Sequence, residues 1–213
     1  MRYCLLVFIL VIFSCNQKKK YHDDAVAKEV VSSSEIVNKV LAFQKKMNEE
    51  FKNPDSSPLP DRYRKDFEGL DFYEPDTNYR VQAKFVRTPE AIPFMMLTTT
   101  EREAKEIVYG IVYFHLNGEN HQLEVYQSQE LQEDPDLEDY LFLPFIDETN
   151  GEETYGGGRY IDLKIPEGDA IIIDFNKAYN PYCAYNKKFS CPIVQKVNTL
   201  NTEVFAGVKA FKK

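Results

Sequence analysis

The residues best suited to chemistry lie between positions 147 and 191, and the first group surrounds a run of glycines. It consists of a tyrosine, three consecutive glycines and an arginine: Tyr155, Gly156, Gly157, Gly158 and Arg159. Glycine tolerates positive φ angles and close approach of other groups, so such a loop can present backbone N–H groups and a guanidinium to an anion. The spacing matches neither common nucleotide-binding glycine motif. The alternative is a bulged strand whose glycines make room for a neighbouring tyrosine ring.

Carboxylates and amides form the second group. Asp162 follows the glycines, and Asp174 ends an apolar segment, where a carboxylate must find donors or raise its pKa. Two interpretations are open: Asp174 forms a buried structural salt bridge with Arg159, or it acts as a general acid or base beside Asp162. Asn176 and Asn180 are turn-forming residues in the same stretch and complete the set of candidate binding or catalytic residues.

Histidines give little support for a metal site. His115 and His121 flank Asn117-Gly118, a strong signal for a two-residue hairpin turn. That turn places them on opposite faces, whereas a three-residue loop would pair them as metal ligands. The sequence contains no H-E-x-x-H or G-x-S-x-G motif, so we predict no metal and no cofactor.

The elements that position these residues are mainly strands. Segments 107–116 and 119–126 flank the predicted turn, and segments 79–85, 140–146 and 170–175 have the alternation or apolar runs of strands. The hairpin register pairs Leu116 with Glu119, Phe114 with His121, Val112 with Leu123 and Gly110 with Val125. This register collects the apolar residues on one face.

Residues 32–51 predict an amphipathic helix that begins with a capping box, Ser32 with Glu35. Its apolar face is predicted to be Ile36, Val37, Val40, Leu41, Met47 and Phe51. The predicted fold class is therefore mainly β, an antiparallel sandwich or partly open barrel with an N-terminal amphipathic helix. We expect residues 32–213 to form a single domain, since 43% of the sequence is hydrophobic.

The N-terminus predicts a bacterial lipoprotein. Met1-Arg2 precedes an apolar run at 5–13 and then Ser14-Cys15. The run would span about 14 Å as a helix, too short for a hydrocarbon core of about 30 Å but suited to a signal peptide. We expect residues 1–14 to be cleaved, Cys15 to carry lipid and residues 15–31 to form a tether. An ordinary secreted protein cut nearby is the alternative.

Composition limits the partners. The net charge of −8 and pI near 5.0 argue against nucleic-acid binding. In the cell envelope, the two remaining cysteines, Cys183 and Cys191, predict a disulfide. A redox pair or half of a metal site are the alternatives.

Several motifs resemble those of a bacterial domain-of-unknown-function family, number 1684. They are SPL at 57–59, FEGL at 67–70, YGGGRYID at 155–162, DFNKAYNPYCAY at 174–185 and CP at 191–192. The resemblance extends from Ser32 to Gly207, and similar members from Bacteroidetes-like bacteria are often lipoproteins. It implies no activity and no catalytic residue. Val194-Gln195 stand where the family usually has two prolines.

Together these features predict an envelope lipoprotein whose β domain binds a small molecule or a protein partner. Its membrane contact is the N-terminal lipid, and we expect it in the outer membrane facing the periplasm. The alternative is a small hydrolase or lyase that uses Asp162, Asp174 and Arg159 around the Gly156–Gly158 loop.

Overall fold

A computed structural model describes residues 32–212 of the protein. The predicted signal peptide, Cys15 and the tether lie outside the described residues. Seven strands form one antiparallel sheet that curls into a half-barrel, with few helices and one of them near the N-terminus. The predicted mainly β fold with an N-terminal helix is therefore confirmed.

The strands follow each other mostly as neighbours. In chain order they are β1 (Arg80–Arg87), β2 (Phe94–Leu97), β3 (Glu103–Leu116), β4 (Glu119–Ser128), β5 (Tyr140–Phe145), β6 (Arg159–Lys164) and β7 (Ala170–Asp174). The order across the sheet is β6-β5-β4-β3-β1-β7, and β2 pairs with the first residues of β3. After β6, at one edge of the sheet, the chain crosses to the other edge, where β7 pairs with β1.

The β3–β4 hairpin forms as predicted. Asn117 and Gly118 both have positive φ, 51° and 86°, as a two-residue turn that matches the strand twist requires. The observed partners are Leu116 with Glu119, Phe114 with His121, Val112 with Leu123 and Gly110 with Val125. The predicted register is therefore confirmed.

A β-bulge at Tyr109 changes the face to which β3 side chains point. Val108 lies opposite Tyr126, whereas Gly110 lies opposite Val125, so Tyr109 is an extra residue in β3. Tyr126 and Val125 are consecutive and point to opposite faces of β4. The first part of β3 therefore presents Glu106 to the face opposite the one that Val112 occupies.

The two faces of the sheet have different environments. The inner face of the half-barrel carries the main core, which includes Val112, Leu123, Leu141, Leu143, Phe145, Ile161 and Ile173. At the β3–β6 end, the opposite face carries a smaller cluster of Met96, Tyr126, Phe142, Tyr160 and Val194. We call this second surface the outer face.

Helix α1 (Ser33–Lys52) begins at the predicted cap, where the Ser32 hydroxyl oxygen accepts from the Glu35 N–H at 3.3 Å. Val40 and Phe51 are buried, and Phe51 packs edge-on against Tyr185 with ring centroids 4.8 Å apart. Leu41, predicted on the apolar face, is 48% exposed. No helix among residues 32–212 has the length and apolar character needed to cross a membrane.

The remaining helical elements are single turns. They are α2 (Asp61–Arg64) and five 3-10 turns at Thr77–Tyr79, Leu131–Glu133, Phe175–Lys177, Tyr182–Ala184 and Lys196–Asn198. Three of these turns follow β7, in a long irregular segment, residues 175–212. Part of this segment faces the outer face of the sheet and, with α1, shapes the candidate site.

Candidate functional site

A cleft of about 610 Å³ lies between helix α1, the outer face of the sheet and the segment after β7. Its volume is within the range of about 300–1,000 Å³ typical of small-molecule sites. The walls are rich in aromatic side chains: Phe43, Phe51, Tyr140, Phe142, Tyr160, Tyr179, Tyr182 and Phe189. Four carboxylates also line it: Glu50, Glu106, Glu130 and Asp162.

Of the four carboxylates that line the cleft, Glu106 is the least exposed, since only 4% of its surface is accessible. Its Oε2 atom is buried and has no hydrogen-bond partner within residues 32–212. Burial raises the pKa of the Glu106 carboxyl to about 7, and the charge of Glu130 raises it further, while Arg102 and the Ser128 hydroxyl partly offset these effects. The carboxyl is therefore about half ionised near neutral pH.

The bulge in β3 explains why Glu106 faces the cleft. Glu106 lies opposite Ser128 in the β3–β4 ladder, before the register shift at Tyr109. Ala104 and Ser128 line the same cleft. The outer-face position of Glu106 is thus fixed by the backbone of two paired strands rather than by a flexible loop.

Asp162 is held by two tyrosines. Its Oδ1 atom accepts hydrogen bonds from the hydroxyls of Tyr140, at 2.8 Å, and Tyr179, at 2.5 Å. Burial raises the pKa of both phenols well above the ordinary value, and the charge of Asp162 adds to this effect. Both hydroxyls therefore stay protonated and donate to Asp162 at every physiological pH.

The other two tyrosine hydroxyls of the cleft also donate to protein acceptors. The Tyr182 hydroxyl donates to Glu50 Oε1 on α1, and the Tyr160 hydroxyl donates to the carbonyl of Pro192. Burial raises the pKa of both phenols above the ordinary value. These four tyrosines can therefore present their ring surfaces and oxygen lone pairs to a ligand. Their hydroxyl protons already form hydrogen bonds with protein acceptors.

Arg159 lies in the core and not in the cleft. Its side chain has no exposed surface, and its Nη2 atom is 2.7 Å from Asp147 Oδ2. The guanidinium also donates to the carbonyls of Val204 and Ala206. Arg159 and Asp162 are three positions apart on β6, so their side chains project from opposite faces of the sheet.

The structure corrects the proposed pairing of Asp174 with Arg159, because the partner of Arg159 is Asp147. Asp174 Oδ1 accepts from the backbone N–H and the side-chain amide of Asn176, and Asp174 Oδ2 lies 4.0 Å from Arg80 Nε. The three residues suggested for a hydrolase or lyase therefore do not meet: Asp162 alone lines the cleft.

The side chains of both candidate asparagines, Asn176 and Asn180, form hydrogen bonds with the backbone of other segments. Asn176 exchanges hydrogen bonds with the backbone N–H and carbonyl of Asp76, at 2.9 and 2.8 Å. The side-chain amide of Asn180 donates to the carbonyl of Lys209 at 3.0 Å. Both residues are almost fully buried, so their observed contacts are structural.

The glycine run forms a turn before β6 rather than the bulged strand of one interpretation, but Gly157 does make room for a tyrosine ring as that interpretation expected. A Cβ at Gly157 would come within 2.5 Å of the Tyr155 ring. Gly158 has φ of 88°, its N–H donates to the Tyr155 carbonyl, and a Cβ there would lie 2.7 Å from the Phe145 carbonyl oxygen. Gly156 is exposed beside this turn. Tyr155 and Gly157 line a separate depression of about 70 Å³.

The predicted disulfide is not present, because the sulfur atoms of Cys183 and Cys191 are not at bonding distance and both thiols are free. Instead, the backbone N–H of Cys183 donates to Cys191 Sγ at 3.2 Å. A hydrogen bond from the Cys191 thiol lowers the pKa of Cys183, whereas that same contact and burial raise the pKa of Cys191. The pair combines one acidic, partly exposed thiol with one buried thiol.

The histidines follow the two-residue turn. His115 pairs with Asn120 and His121 with Phe114, which places the rings on opposite faces as predicted. Across residues 32–212, no group of three or more His, Cys, Asp or Glu side chains is arranged to hold a metal ion.

Sequence reasoning missed Glu106, which precedes the segment predicted as a strand. Period-two counting would place it on the same face as Val112, in the core, where a carboxylate is unexpected. The bulge that reverses this face has no signature in the local residue spacing. A carboxylate directly before the apolar pair Ile107-Val108 is the one hint in the sequence.

Comparisons with known proteins identify a family and a solved structure that are similar to most of this chain. Residues 65–209 match the family described as Protein of unknown function (DUF1684), a match that begins after α1 and is shorter than the predicted extent from Ser32. The solution NMR structure of an uncharacterized protein from Haloarcula marismortui is 34% identical, with a TM-score of 0.64. The alignment covers 81% of this chain and 92% of that one. Among curated proteins, no match is found.

Proposed function

We propose that this chain, which belongs to the DUF1684 family, binds a small organic ligand in the cleft beside α1. We further propose that the domain works in the bacterial cell envelope, attached to the membrane by a lipid on Cys15. The observation that carries the ligand-binding proposal is Glu106, which lines the cleft and whose carboxylate atom Oε2 is buried without a hydrogen-bond partner among the described residues.

A buried carboxylate oxygen is costly to maintain. Leaving one buried polar group without a hydrogen bond costs about 1–3 kcal/mol, and more when the group is charged. Folded proteins satisfy most such groups, and the exceptions are often functional. Glu106 lies in a cleft that is large enough for a ligand, so a donor on that ligand would supply the partner.

The rest of the cleft supports binding rather than a purely structural role. Asp162, Glu50 and their tyrosine partners are fixed by hydrogen bonds between different elements, which keeps the walls in place. A site whose side chains are already positioned binds with little loss of conformational entropy. Its concave, aromatic walls favour a small molecule over a flat protein surface.

The envelope location rests on the N-terminal sequence. The apolar run at 5–13 followed by Ser14-Cys15 has the form of a lipoprotein signal. Residues 15–31 would then separate the domain from the membrane. Such a location would give the cleft access to molecules in the periplasm.

Ligand binding can be tested by recording amide and aromatic NMR spectra of the purified full chain with a library of small neutral, cationic and anionic fragments. We expect some fragments to shift signals of Tyr140, Phe142 and Tyr179 together. A library that leaves these cleft signals unchanged, or shifts only signals elsewhere, would contradict the proposal.

The anchor can be tested separately by expressing the wild type and Cys15→Ala in a bacterial host. We expect the wild type to take up radiolabelled palmitate and fractionate with membranes. Cys15→Ala should accumulate as an unlabelled precursor, as should the wild type treated with the signal-peptidase inhibitor globomycin. Normal processing of Cys15→Ala would show that the lipoprotein assignment is wrong.

A further inference from the structure

The hydrogen-bonding groups of the cleft are mainly acceptors. The hydroxyls of Tyr140 and Tyr179 donate to Asp162, that of Tyr182 donates to Glu50, and that of Tyr160 donates to a carbonyl. What these groups still present to a ligand is oxygen lone pairs. A ligand rich in hydrogen-bond acceptors would therefore find few donors among these four tyrosines.

The two basic side chains of the cleft do not change this character. Lys46 is exposed on the rim, on α1. Arg102 is held by Ser190, whose hydroxyl accepts from its Nε at 3.2 Å, and by Glu130, which lies 3.7 Å from its Nη1. Glu130 and Asp162 are also exposed, so the rim carries two cations and two anions. The charge at the rim is therefore balanced.

The interior of the cleft is negative. Glu106 is 4% exposed, and its Oε2 atom has no partner in the part of the chain that the structure describes. Glu50 is half-buried and adds a second carboxylate, which accepts one hydroxyl proton. Aromatic rings line the same cleft, and the faces of such rings attract cations.

We propose that the ligand of this cleft is an organic cation, a protonated amine carried on an apolar or aromatic body, with its ammonium group donating to Glu106. The inference rests on the proposed ligand-binding function and specifies the class of ligand. An ammonium supplies up to three donors, which matches the surplus of acceptors. The body of the ligand would pack against rings such as Phe142 and Phe43.

Binding of such a cation is linked to the protonation of Glu106. The pKa of this carboxyl is about 7, and an adjacent cation favours the ionised form. The other titratable groups that line the cleft are Lys46, Glu50, Arg102, Glu130, Asp162, Cys191 and the four tyrosines. The tyrosines and Cys191 have raised pKa values and remain neutral. Affinity should therefore rise between pH 5.5 and pH 8 as the ionised fraction of Glu106 increases, by about sevenfold if amine binding lowers the pKa by one unit and by up to about thirtyfold if only the ionised form binds.

The inference can be tested with three probes of nearly equal size: phenethylamine, the neutral 2-phenylethanol and the anionic 3-phenylpropanoate. Their affinities for the full chain would be measured by NMR titration of the cleft signals. Phenethylamine should bind at least tenfold more tightly than the alcohol, and the anion should bind most weakly. This preference should decrease as the pH falls from 8 to 5.5.

Two variants on β3 provide a matched comparison. Glu106→Gln keeps the shape of the side chain and removes its charge, so it should weaken phenethylamine binding at least tenfold and abolish the pH dependence. Glu103→Gln makes the same change three residues earlier, at an exposed position outside the cleft, and should leave binding unchanged. A folded state of both variants is verified by their amide spectra.

The outcomes separate the ligand class from the proposed function. If the alcohol or the anion binds as tightly as the amine, or if Glu106→Gln leaves amine binding unchanged, the ligand class is wrong and the ligand-binding function stands. If neither these probes nor the wider fragment library shifts the cleft signals, the proposed function fails, and the ligand class fails with it.

Discussion

Arg159 and Asp147 form an ion pair of 2.7 Å in which neither side chain has any exposed surface. The second oxygen of Asp147 accepts from the hydroxyl and N–H of Thr149 and from the N–H of Val204. Arg159 in turn donates to the carbonyls of Val204 and Ala206. The pair thus fastens the C-terminal segment and the loop after β5 to the sheet.

Loss of this pair should be strongly destabilising. Asp147→Asn leaves the Arg159 charge buried, and a guanidinium does not lose its proton. We expect the free energy of unfolding to fall by about 3–5 kcal/mol, the usual effect of breaking a buried pair. The measurement is urea unfolding followed by circular dichroism.

A control for this change lies on β6, the strand that carries Arg159. Lys164 on β6 pairs with Asp139 at 2.8 Å, but both side chains are largely exposed. Lys164→Met should change the stability by less than about 1 kcal/mol. Equal effects of Asp147→Asn and Lys164→Met would contradict the structural role assigned to Arg159.

Gly158→Ala should also destabilise the fold. The residue has φ of 88°, and a Cβ would lie 2.6 Å from Val194 Cγ2 and 2.7 Å from the Phe145 carbonyl oxygen. A left-handed conformation and overpacking each cost about 1–3 kcal/mol, so we expect a loss of roughly 3 kcal/mol. Gly168→Ala, where a Cβ meets no atom within 4 Å, should be nearly neutral. Thermal unfolding of both variants measures the difference.

The stability of the protein should depend on the ionisation of Glu106. Its carboxyl has a pKa of about 7 in the folded chain but about 4.3 when unfolded. Between these values the folded state binds more protons, so the free energy of unfolding contributed by Glu106 falls as the pH rises. Glu106→Gln does not titrate and should therefore be more stable than the wild type at pH 8.

We expect this gain to be about 1–2 kcal/mol at pH 8, less than the full linkage because the nearby solvent screens part of the charge. At pH 4 the two proteins should be nearly equal in stability. Urea unfolding at both pH values tests the expectation, with Glu103→Gln as control. A difference between wild type and Glu106→Gln that is independent of pH would contradict a raised pKa.

The two thiols should differ in reactivity. Cys183 is partly exposed and its pKa is lowered, whereas Cys191 is buried and its pKa is raised. Because the thiolate is the nucleophile, iodoacetamide at pH 7 should label Cys183 first in the native protein. Peptide mass spectrometry identifies the labelled site. Preferential labelling of Cys191, or no labelling until a reductant is added, would contradict the arrangement of free thiols.

Local features of the fold were predictable from the sequence because short-range physics determines them. Asn117-Gly118 defines the turn and hence the β3–β4 register, and Ser32 with Glu35 defines the start of α1. The separation of Arg159 from Asp162 also follows from strand alternation, once a strand is assigned to residues 159–164.

The candidate site was less predictable because it depends on long-range pairing. The bulge at Tyr109 reverses the face of Glu106, and it is visible only when β3 and β4 are aligned as partners. The choice of Asp147 over Asp174 as the partner of Arg159 likewise depends on how loops cross the sheet. Neither relationship has a signature in local residue spacing.

Glu106 is a buried carboxylate that, as we propose, pairs with the cationic group of a ligand. The most direct test is a ¹³C NMR pH titration of its side-chain carboxyl, alone and with saturating phenethylamine. We predict a pKa of about 7 in the free protein and a decrease of about one pH unit or more with the amine. A titration near the ordinary value of about 4.3, unaffected by the amine, would contradict the account.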